Sequence, residues 1–143
     1  MRRHSAEHLL TGLFEEEVEP PKIYSDLEKL KYRDANLDEE TVEQISELFN
    51  DIIDRDVEVR VYYQDRAEID VEGDPRKMAF LKSIPATVKR IRMVEIGEYA
   101  STFCMGTHVK STGNIGHLEC LKLEKGKNGL RVVHFQLRDL NPQ

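Results

Sequence analysis

Two short segments at opposite ends of this chain each carry a pair of metal-binding side chains four positions apart. The first reads His4-Ser-Ala-Glu-His8 and the second reads Cys104-Met-Gly-Thr-His108. Imidazole nitrogen and thiolate sulfur are donors that Zn²⁺ prefers, and four such donors complete a tetrahedral site. Either segment alone is a weak signal. Together they predict a zinc site whose ligands are His4, His8, Cys104 and His108.

The number of ligands leaves the role of this metal open. A zinc ion with four protein ligands is usually structural, whereas a catalytic zinc keeps one position for water or substrate. A catalytic role therefore requires a weak fourth ligand, five-coordination, or a water held beside the metal. The ligand count alone favours a structural metal.

The first pair of ligands falls in a segment with helical periodicity, residues 4–18. Apolar side chains recur there at the spacing of one helix face, at Ala6, Leu9, Leu10, Leu13, Phe14 and Val18. His4 and His8 lie one turn apart on such a helix, so both can reach the same metal. In the second segment, Gly106 permits a tight turn that lets both of its ligands point inward.

The remaining pattern predicts helices and strands in a definite order. Asn36 or Asp38 can cap a second long helix, and residues 57–63 alternate as a half-buried strand. Residues 23–32 support no single period. A short helix is predicted at 75–81. Strands are predicted at 88–96, 118–123 and 130–137, and a hairpin turn at 125–129 joins the last two. This order predicts an α+β fold in which a largely antiparallel sheet packs with two main helices, as one domain covering residues 1–143.

The charge of the chain is unevenly distributed around a net value of −6. Residues 1–75 contain 9 Lys or Arg against 22 Asp or Glu, and residues 76–143 contain 12 against 5. Phosphate binding depends on a local basic face rather than on the total charge. The second half is therefore compatible with a nucleic-acid partner, with Lys89, Arg90 and Arg92 as candidates for phosphate contacts. Ordinary solvated surface explains the same charges equally well.

The composition also indicates the cellular compartment in which we expect the protein. No stretch approaches the about 20 apolar residues that a membrane helix needs, and the first residues lead into no signal sequence. Two cysteines, Cys104 and Cys120, are too few for a disulfide framework. We therefore expect a cytoplasmic protein with no membrane partner. Cys120 lies in an apolar strand and is expected in the core.

Three segments together resemble a known family. Residues 4–10, 103–109 and 111–116 are similar to the motifs of the alanyl-tRNA synthetase editing domain, and especially to the free-standing AlaX proteins that carry this domain. The resemblance implies hydrolysis of the ester between tRNA(Ala) and a wrongly attached amino acid, chiefly serine or glycine. Because the first motif begins at residue 4, we expect a small form of AlaX that lacks the upstream barrel domain of longer members.

The resemblance also implies roles for individual residues. Zinc would bind His4, His8, Cys104 and His108. Ser5 stands where the family often has threonine, and its hydroxyl would sense the hydroxyl of a seryl substrate. Backbone amides around Gly106 and Thr107 would help to stabilise the oxyanion that forms during ester cleavage. Met105 departs from the glycine that is common at this position, which makes the loop bulkier.

Glu7 has two interpretations. The order His4-x-x-Glu7-His8 is also that of the inverted metallohydrolase motif, in which the glutamate is the general base. The alternative is an ordinary glutamate on the solvent face of a helix. S-ribosylhomocysteine lyases use the same helical motif with a distant cysteine, but His108 and residues 111–116 favour AlaX.

The prediction is therefore a zinc-dependent trans-editing hydrolase that deacylates mischarged tRNA(Ala), with Ser-tRNA(Ala) as the first candidate substrate and Gly-tRNA(Ala) as the second. Two other classes stay open. One is a zinc-stabilised RNA-binding module without catalysis, and the other is a threonyl-type editing domain, which residues 111–116 disfavour. Nothing in the sequence specifies an oligomeric state.

Overall fold

The computed structural model describes residues 1–19, 21–70, 73 and 75–139, with the side chains of 75–77 excepted. Three α-helices and seven strands lie within these ranges. In chain order they are α1 (Arg2–Glu15), β1 (Tyr24–Ser25), β2 (Lys29–Arg33), α2 (Glu39–Arg55), β3 (Val59–Asp65), α3 (Pro75–Ser83), β4 (Arg90–Ile96), β5 (Ala100–Phe103), β6 (Leu118–Lys125) and β7 (Leu130–Leu137).

The strands form two antiparallel sheets. The larger has the order β1-β2-β7-β6, and the smaller has the order β3-β4-β5. The predicted α+β class is confirmed, as is the β6–β7 hairpin, but the strands divide between two sheets. The segment at 23–32 that had no clear period contains the short β1–β2 hairpin, and β5 was not predicted.

Helix α2 follows the rules that predicted it. Asp38 is its N-cap, and Asp38 Oδ1 accepts a hydrogen bond from the backbone N–H of Thr41 at 2.9 Å. An apolar stripe along the helix is buried, at Val42, Ile45, Phe49, Ile52 and Ile53. Asp56 ends the helix in the left-handed conformation, with φ of 50°. The acidic face of α2 is left toward solvent.

Helix α1 packs against elements of both sheets. It contacts β2 of the larger sheet, β5 of the smaller sheet, and α2. Gly12 permits the close approach to β5, because a Cβ atom there would lie 2.8 Å from the Cβ of Ala100. Burial therefore extends beyond the apolar stripe to Ser5 and Glu7, which are polar. This packing places the N-terminal turns of α1 beside the segment that follows β5.

Cys120 corrects one expectation from the sequence. Its side chain is exposed rather than part of the core. The register of β6 against β7 shifts between Leu118 and Cys120, and the extra residue changes which side chains face inward. Leu118 is buried and Leu121 and Leu123 are half-buried, while Cys120 turns outward. In the part of the chain that the structure describes, no helix is long and apolar enough to cross a membrane.

Candidate metal centre

The structure brings the four predicted ligands together. His4, His8, Cys104 and His108, hereafter the metal cluster, have their donor atoms within 4.8 Å of one another. His8 Nε2 lies 3.1 Å from His4 Nε2, and Cys104 Sγ lies 3.4 Å from His4 Nε2 and 3.5 Å from His108 Nε2. Helix α1 supplies the first two residues, and the segment after β5 supplies the other two.

These separations fit a tetrahedral metal. With metal–nitrogen bonds of about 2.0 Å and a metal–sulfur bond of about 2.3 Å, tetrahedral donors lie about 3.3 Å apart for two nitrogens and about 3.5 Å apart for nitrogen and sulfur. The three distances above fall close to these values. Three imidazoles and one thiol also form a donor set typical of zinc. The metal cluster can therefore hold a metal ion.

The second nitrogen of two of these histidines has a partner of its own. His4 Nδ1 lies 3.2 Å from the carbonyl oxygen of Thr107, which can only accept, so Nδ1 carries the proton and leaves Nε2 free as a donor atom for a metal. His108 Nδ1 lies 2.9 Å from Ser5 Oγ. Ser5 Oγ also accepts a hydrogen bond from the backbone N–H of Val109 at 3.1 Å. Such contacts fix the tautomer and the orientation of a metal-binding imidazole.

Two of the imidazoles are held in the neutral form that metals bind. Burial lowers the pKa of His8 to about 4, against the opposing effect of the nearby Glu7 carboxylate. Burial and the neighbouring histidines lower the pKa of His108 to about 3. Both side chains are therefore uncharged near neutral pH, with Nε2 able to donate an electron pair.

The loop that carries Cys104 is held by an arginine from β4. Arg92 Nη1 donates to the carbonyl oxygens of Cys104 at 2.7 Å and of Gly106 at 2.8 Å. The N–H of Gly106 donates to Cys104 Sγ at 3.4 Å. A Cβ atom on Gly106 would lie 2.7 Å from His4 Nδ1, so only glycine fits beside this ring. Arg92, a candidate for phosphate contacts from the sequence, is engaged in this loop.

The other predicted site residues lie around the metal cluster in different ways. Ser5 is completely buried behind the ring of His108. Thr107 is exposed, and its carbonyl oxygen faces His4. Met105 is 81% exposed and projects away from the cluster. The amide of Gly106 points at the sulfur of Cys104.

Glu7 does not lie on a solvent face. Only 9% of the residue is exposed, and Glu7 Oε1 accepts hydrogen bonds from Lys22 Nζ at 2.8 Å, Ser25 Oγ at 2.6 Å and Thr11 Oγ1 at 3.0 Å. We call these four residues the carboxylate network. Burial raises the pKa of Glu7, but the charge and hydrogen bond of Lys22, with Ser25 and His8, outweigh it and hold the pKa below its ordinary value.

A cavity of about 320 Å³ opens beside both groups of residues. Its lining comes from α1, from the segment around β1, from β5 and from α3. It includes His8 of the metal cluster, Glu7 and Lys22 of the carboxylate network, and the aromatic ring of Phe80. A substrate in this cavity would contact His8 of the metal cluster and the carboxylate network together.

Sequence reasoning missed Lys22, Ser25 and Thr11. Thr11 lies one helical turn after Glu7, and this spacing was the only signal available for any of them. Lys22 and Ser25 lie in the segment around β1, whose position against α1 depends on the packing of the larger sheet. No local pattern relates them to Glu7.

Comparison with known proteins gives matches along almost the whole chain. Residues 91–133 match the family model described as threonyl and alanyl tRNA synthetase second additional domain. The chain is 28% identical to the alanyl-tRNA editing protein AlaX-M of Methanosarcina barkeri, in an alignment that covers 97% of this chain and 58% of the relative. It is 30% identical to the alanine–tRNA ligase of Ignicoccus hospitalis, over 94% of this chain and 15% of the relative.

A third relative is the alanyl-tRNA editing protein AlaX-L of Pyrococcus horikoshii, which is 25% identical over 94% of this chain and 33% of the relative. These matches confirm the resemblance predicted from the motifs. The chain spans less than two thirds of the length of these relatives. The expectation of a small form that lacks an upstream domain stays a prediction.

Proposed function

We propose that this chain, which is similar to alanyl-tRNA editing domains over nearly its whole length, is a zinc-dependent deacylase that hydrolyses mischarged tRNA(Ala). The observation that carries the proposal is the convergence of His4, His8, Cys104 and His108 at the edge of a cavity wide enough for an aminoacyl group. The relatives named alanyl-tRNA editing proteins support the same substrate. We propose Ser-tRNA(Ala) as the preferred ester, with Gly-tRNA(Ala) as the second candidate.

The chemistry required is attack of water on an ester carbonyl, with stabilisation of the negative charge that develops on the carbonyl oxygen. Zinc, when bound, supplies Lewis acidity to an oxygen atom in the cavity. His4, His8, Cys104 and His108 would hold it. The buried Ser5 hydroxyl holds His108 through Nδ1, and the Thr107 carbonyl holds His4 in the same way.

Glu7 and Thr107 are our candidates for direct contact with the reacting ester. Glu7 lines the cavity next to His8, and Thr107 is exposed at the end of the loop that carries Cys104. The amide of Gly106 already donates to Cys104 Sγ, so the amide of Thr107 is the better candidate for the oxyanion. We assign Ser5 to holding His108, because a buried hydroxyl with two partners cannot also meet a substrate.

The test is deacylation of Ser-, Gly- and Ala-tRNA(Ala) by the wild type and by Cys104→Ala, with zinc content measured on both. Cys120→Ala is the matched control, because Cys120 is exposed on β6. We expect rapid hydrolysis of the seryl ester by the wild type and by Cys120→Ala. In Cys104→Ala, both the activity and the stoichiometric zinc should be lost.

A different result would favour the second class of function. Stoichiometric zinc with no hydrolysis of any of the three esters, together with binding of tRNA, would indicate a zinc-stabilised RNA-binding module. The four-ligand donor set is the observation that favours this alternative, because closed tetrahedral zinc sites are usually structural.

A further inference from the structure

The two oxygens of the Glu7 carboxylate have different surroundings. Oε1 is saturated by three donors, the ammonium of Lys22 and the hydroxyls of Ser25 and Thr11. These donors come from α1, from the segment before β1 and from β1. An ionised carboxylate has about four acceptor positions, divided between its two oxygens, and the three donors occupy those of Oε1. The orientation of the carboxylate is therefore held without any contribution from Oε2.

Glu7 Oε2 faces His8 instead. The two atoms Oε2 and His8 Nε2 are 3.9 Å apart, which is too far for a hydrogen bond. Among the residues that the structure describes, no hydrogen bond to Oε2 is present. Glu7 and His8 both line the cavity, so a donor group on a bound molecule can approach Oε2 from there. Oε2 is an anionic acceptor beside the metal cluster.

Apart from a bound metal ion, the charged side chains that line the cavity are acidic on balance. Its charged side chains are Glu7, Glu15 and Lys22, two acidic and one basic. Lys22 is engaged with Glu7 Oε1 and with Thr11 Oγ1. An aminoacyl ester carries one cationic group that other esters lack, its α-ammonium, separated from the carbonyl carbon by a single carbon atom.

The distances agree with such a contact. The amino nitrogen and the carbonyl carbon of an aminoacyl group are about 2.5 Å apart, and a charge-assisted N–H···O bond is about 2.8 Å long. An ammonium bound at Oε2 would therefore bring the ester carbonyl within about 5 Å of Oε2. Because Oε2 and His8 Nε2 are only 3.9 Å apart, the ester carbonyl can then lie beside His8.

We propose that Glu7 Oε2 binds the α-ammonium group of the aminoacyl ester, with Lys22, Ser25 and Thr11 as the residues that position the carboxylate. The inference rests on the proposed function, and it adds a determinant of specificity to it. The site recognises esters with a free amino group. It rejects esters that lack one, because Oε2 would then be left without its charged partner.

The test compares two esters of the same size on tRNA(Ala). One is the seryl ester, and the other is the ester of glyceric acid (called the glyceryl ester below), in which a hydroxyl replaces the amino group of serine. We expect Glu7→Gln to lower kcat/KM for the seryl ester by about 10- to 100-fold, the effect of one charge-assisted hydrogen bond, and to change the glyceryl ester far less. Gln is isosteric with Glu and keeps an acceptor oxygen for Lys22, Ser25 and Thr11.

Two control variants separate local contact from general charge. Glu16→Gln changes the net charge by the same amount at an exposed position outside the cavity, and it should leave the seryl-to-glyceryl ratio unchanged. Glu15→Gln changes the charge of the cavity lining itself. If it changed the seryl-to-glyceryl ratio as much as Glu7→Gln does, a specific contact with Glu7 would be overturned. Zinc content is measured on every variant.

Equal losses on both esters in Glu7→Gln would also overturn the inference, and would favour a proton-transfer role for Glu7. The contact is tested apart from hydrolysis by binding of a non-hydrolysable analogue, the seryl amide of 3′-amino-3′-deoxyadenosine, beside the corresponding amide of glyceric acid. If no ester is cleaved but Glu7→Gln weakens only the seryl amide, the proposed function fails and the ammonium contact stands. If binding is equal in the two proteins, the contact is refuted.

Discussion

Helix α1 carries residues of two partly buried polar groups, the metal cluster and the carboxylate network, and the two differ in how their members are paired. In the carboxylate network unlike groups meet, since an ammonium and two hydroxyls donate to one oxygen of the carboxylate. In the metal cluster similar groups face one another, since three imidazoles and a thiol turn their electron-pair donors toward one point. A buried polar group requires a partner. The donors of the network have their acceptor within the protein, at Glu7 Oε1, whereas the metal cluster would need a cation to complete it.

Removal of the metal should have the largest effect, because it acts on the group that is not complete by itself. A ligand that binds only the folded state at about 1,000 times its dissociation constant stabilises that state by about 4 kcal/mol. We expect a chelator such as dipicolinate to lower the free energy of unfolding by at least about this amount, measured by urea denaturation. Chelator preloaded with zinc is the control. An unchanged midpoint after complete removal of zinc would contradict the comparison.

Lys22→Met should give the next largest effect, and it should act on the other group alone. The substitution leaves Glu7 buried without its cation, and the breaking of a largely buried ion pair costs about 2–3 kcal/mol after allowance for partial exposure. Lys22 and Glu7 have side chains 18% and 12% exposed. We expect a lower free energy of unfolding with stoichiometric zinc retained. Lys29→Met, on the half-buried strand β2, is the matched control. Loss of zinc in Lys22→Met would indicate that the two groups are one unit.

Ser5→Ala should have a smaller effect, confined to the metal cluster. It removes the partner of His108 Nδ1 and the acceptor for the Val109 amide. Loss of such a contact behind a metal ligand typically weakens metal binding about 10- to 100-fold, and we expect the lower end of that range because the histidine itself remains. Competition with a chromophoric chelator measures the affinity. Ser5→Thr retains the hydroxyl and should restore most of it, provided that the buried site accepts the extra methyl group.

The same comparison explains what could be predicted from the sequence. The metal cluster was predictable because its donors come in two pairs, each with a spacing that one helix turn or one tight loop can use. The carboxylate network was not, because Lys22 and Ser25 lie in a segment with no clear period and reach Glu7 only through the packing of α1 against the larger sheet. One of the two interpretations of Glu7 placed it on the solvent face, because the apolar stripe of α1 covers a single face, whereas the structure buries more than that face.

The helices and strands show the same division between features that local sequence patterns indicate and features that depend on tertiary packing. Helices α1 and α2 and strands β3, β4, β6 and β7 follow local periodicity and capping, which the sequence displays directly. Strand β5 reads Ala-Ser-Thr-Phe and has no alternation of its own, so its pairing with β4 is a tertiary effect. The outward position of Cys120 depends on a bulge relative to β7 that no pattern within β6 indicates.

Met105→Ala should have the smallest effect, although Met105 lies next to a ligand of the metal cluster. Its side chain is 81% exposed, and the loop is held by the contacts of Arg92 with the carbonyls of Cys104 and Gly106 rather than by packing of Met105. Exposed substitutions of this kind usually change the free energy of unfolding by less than about 0.5 kcal/mol. We expect unchanged zinc content and an unchanged urea midpoint. The neighbouring Gly106→Ala is the contrasting variant, because its new Cβ would press on the ring of His4 and should weaken zinc binding. Equal effects of the two substitutions would mean that the loop, and not the fit of the His4 ring against Gly106, determines the geometry of the metal cluster.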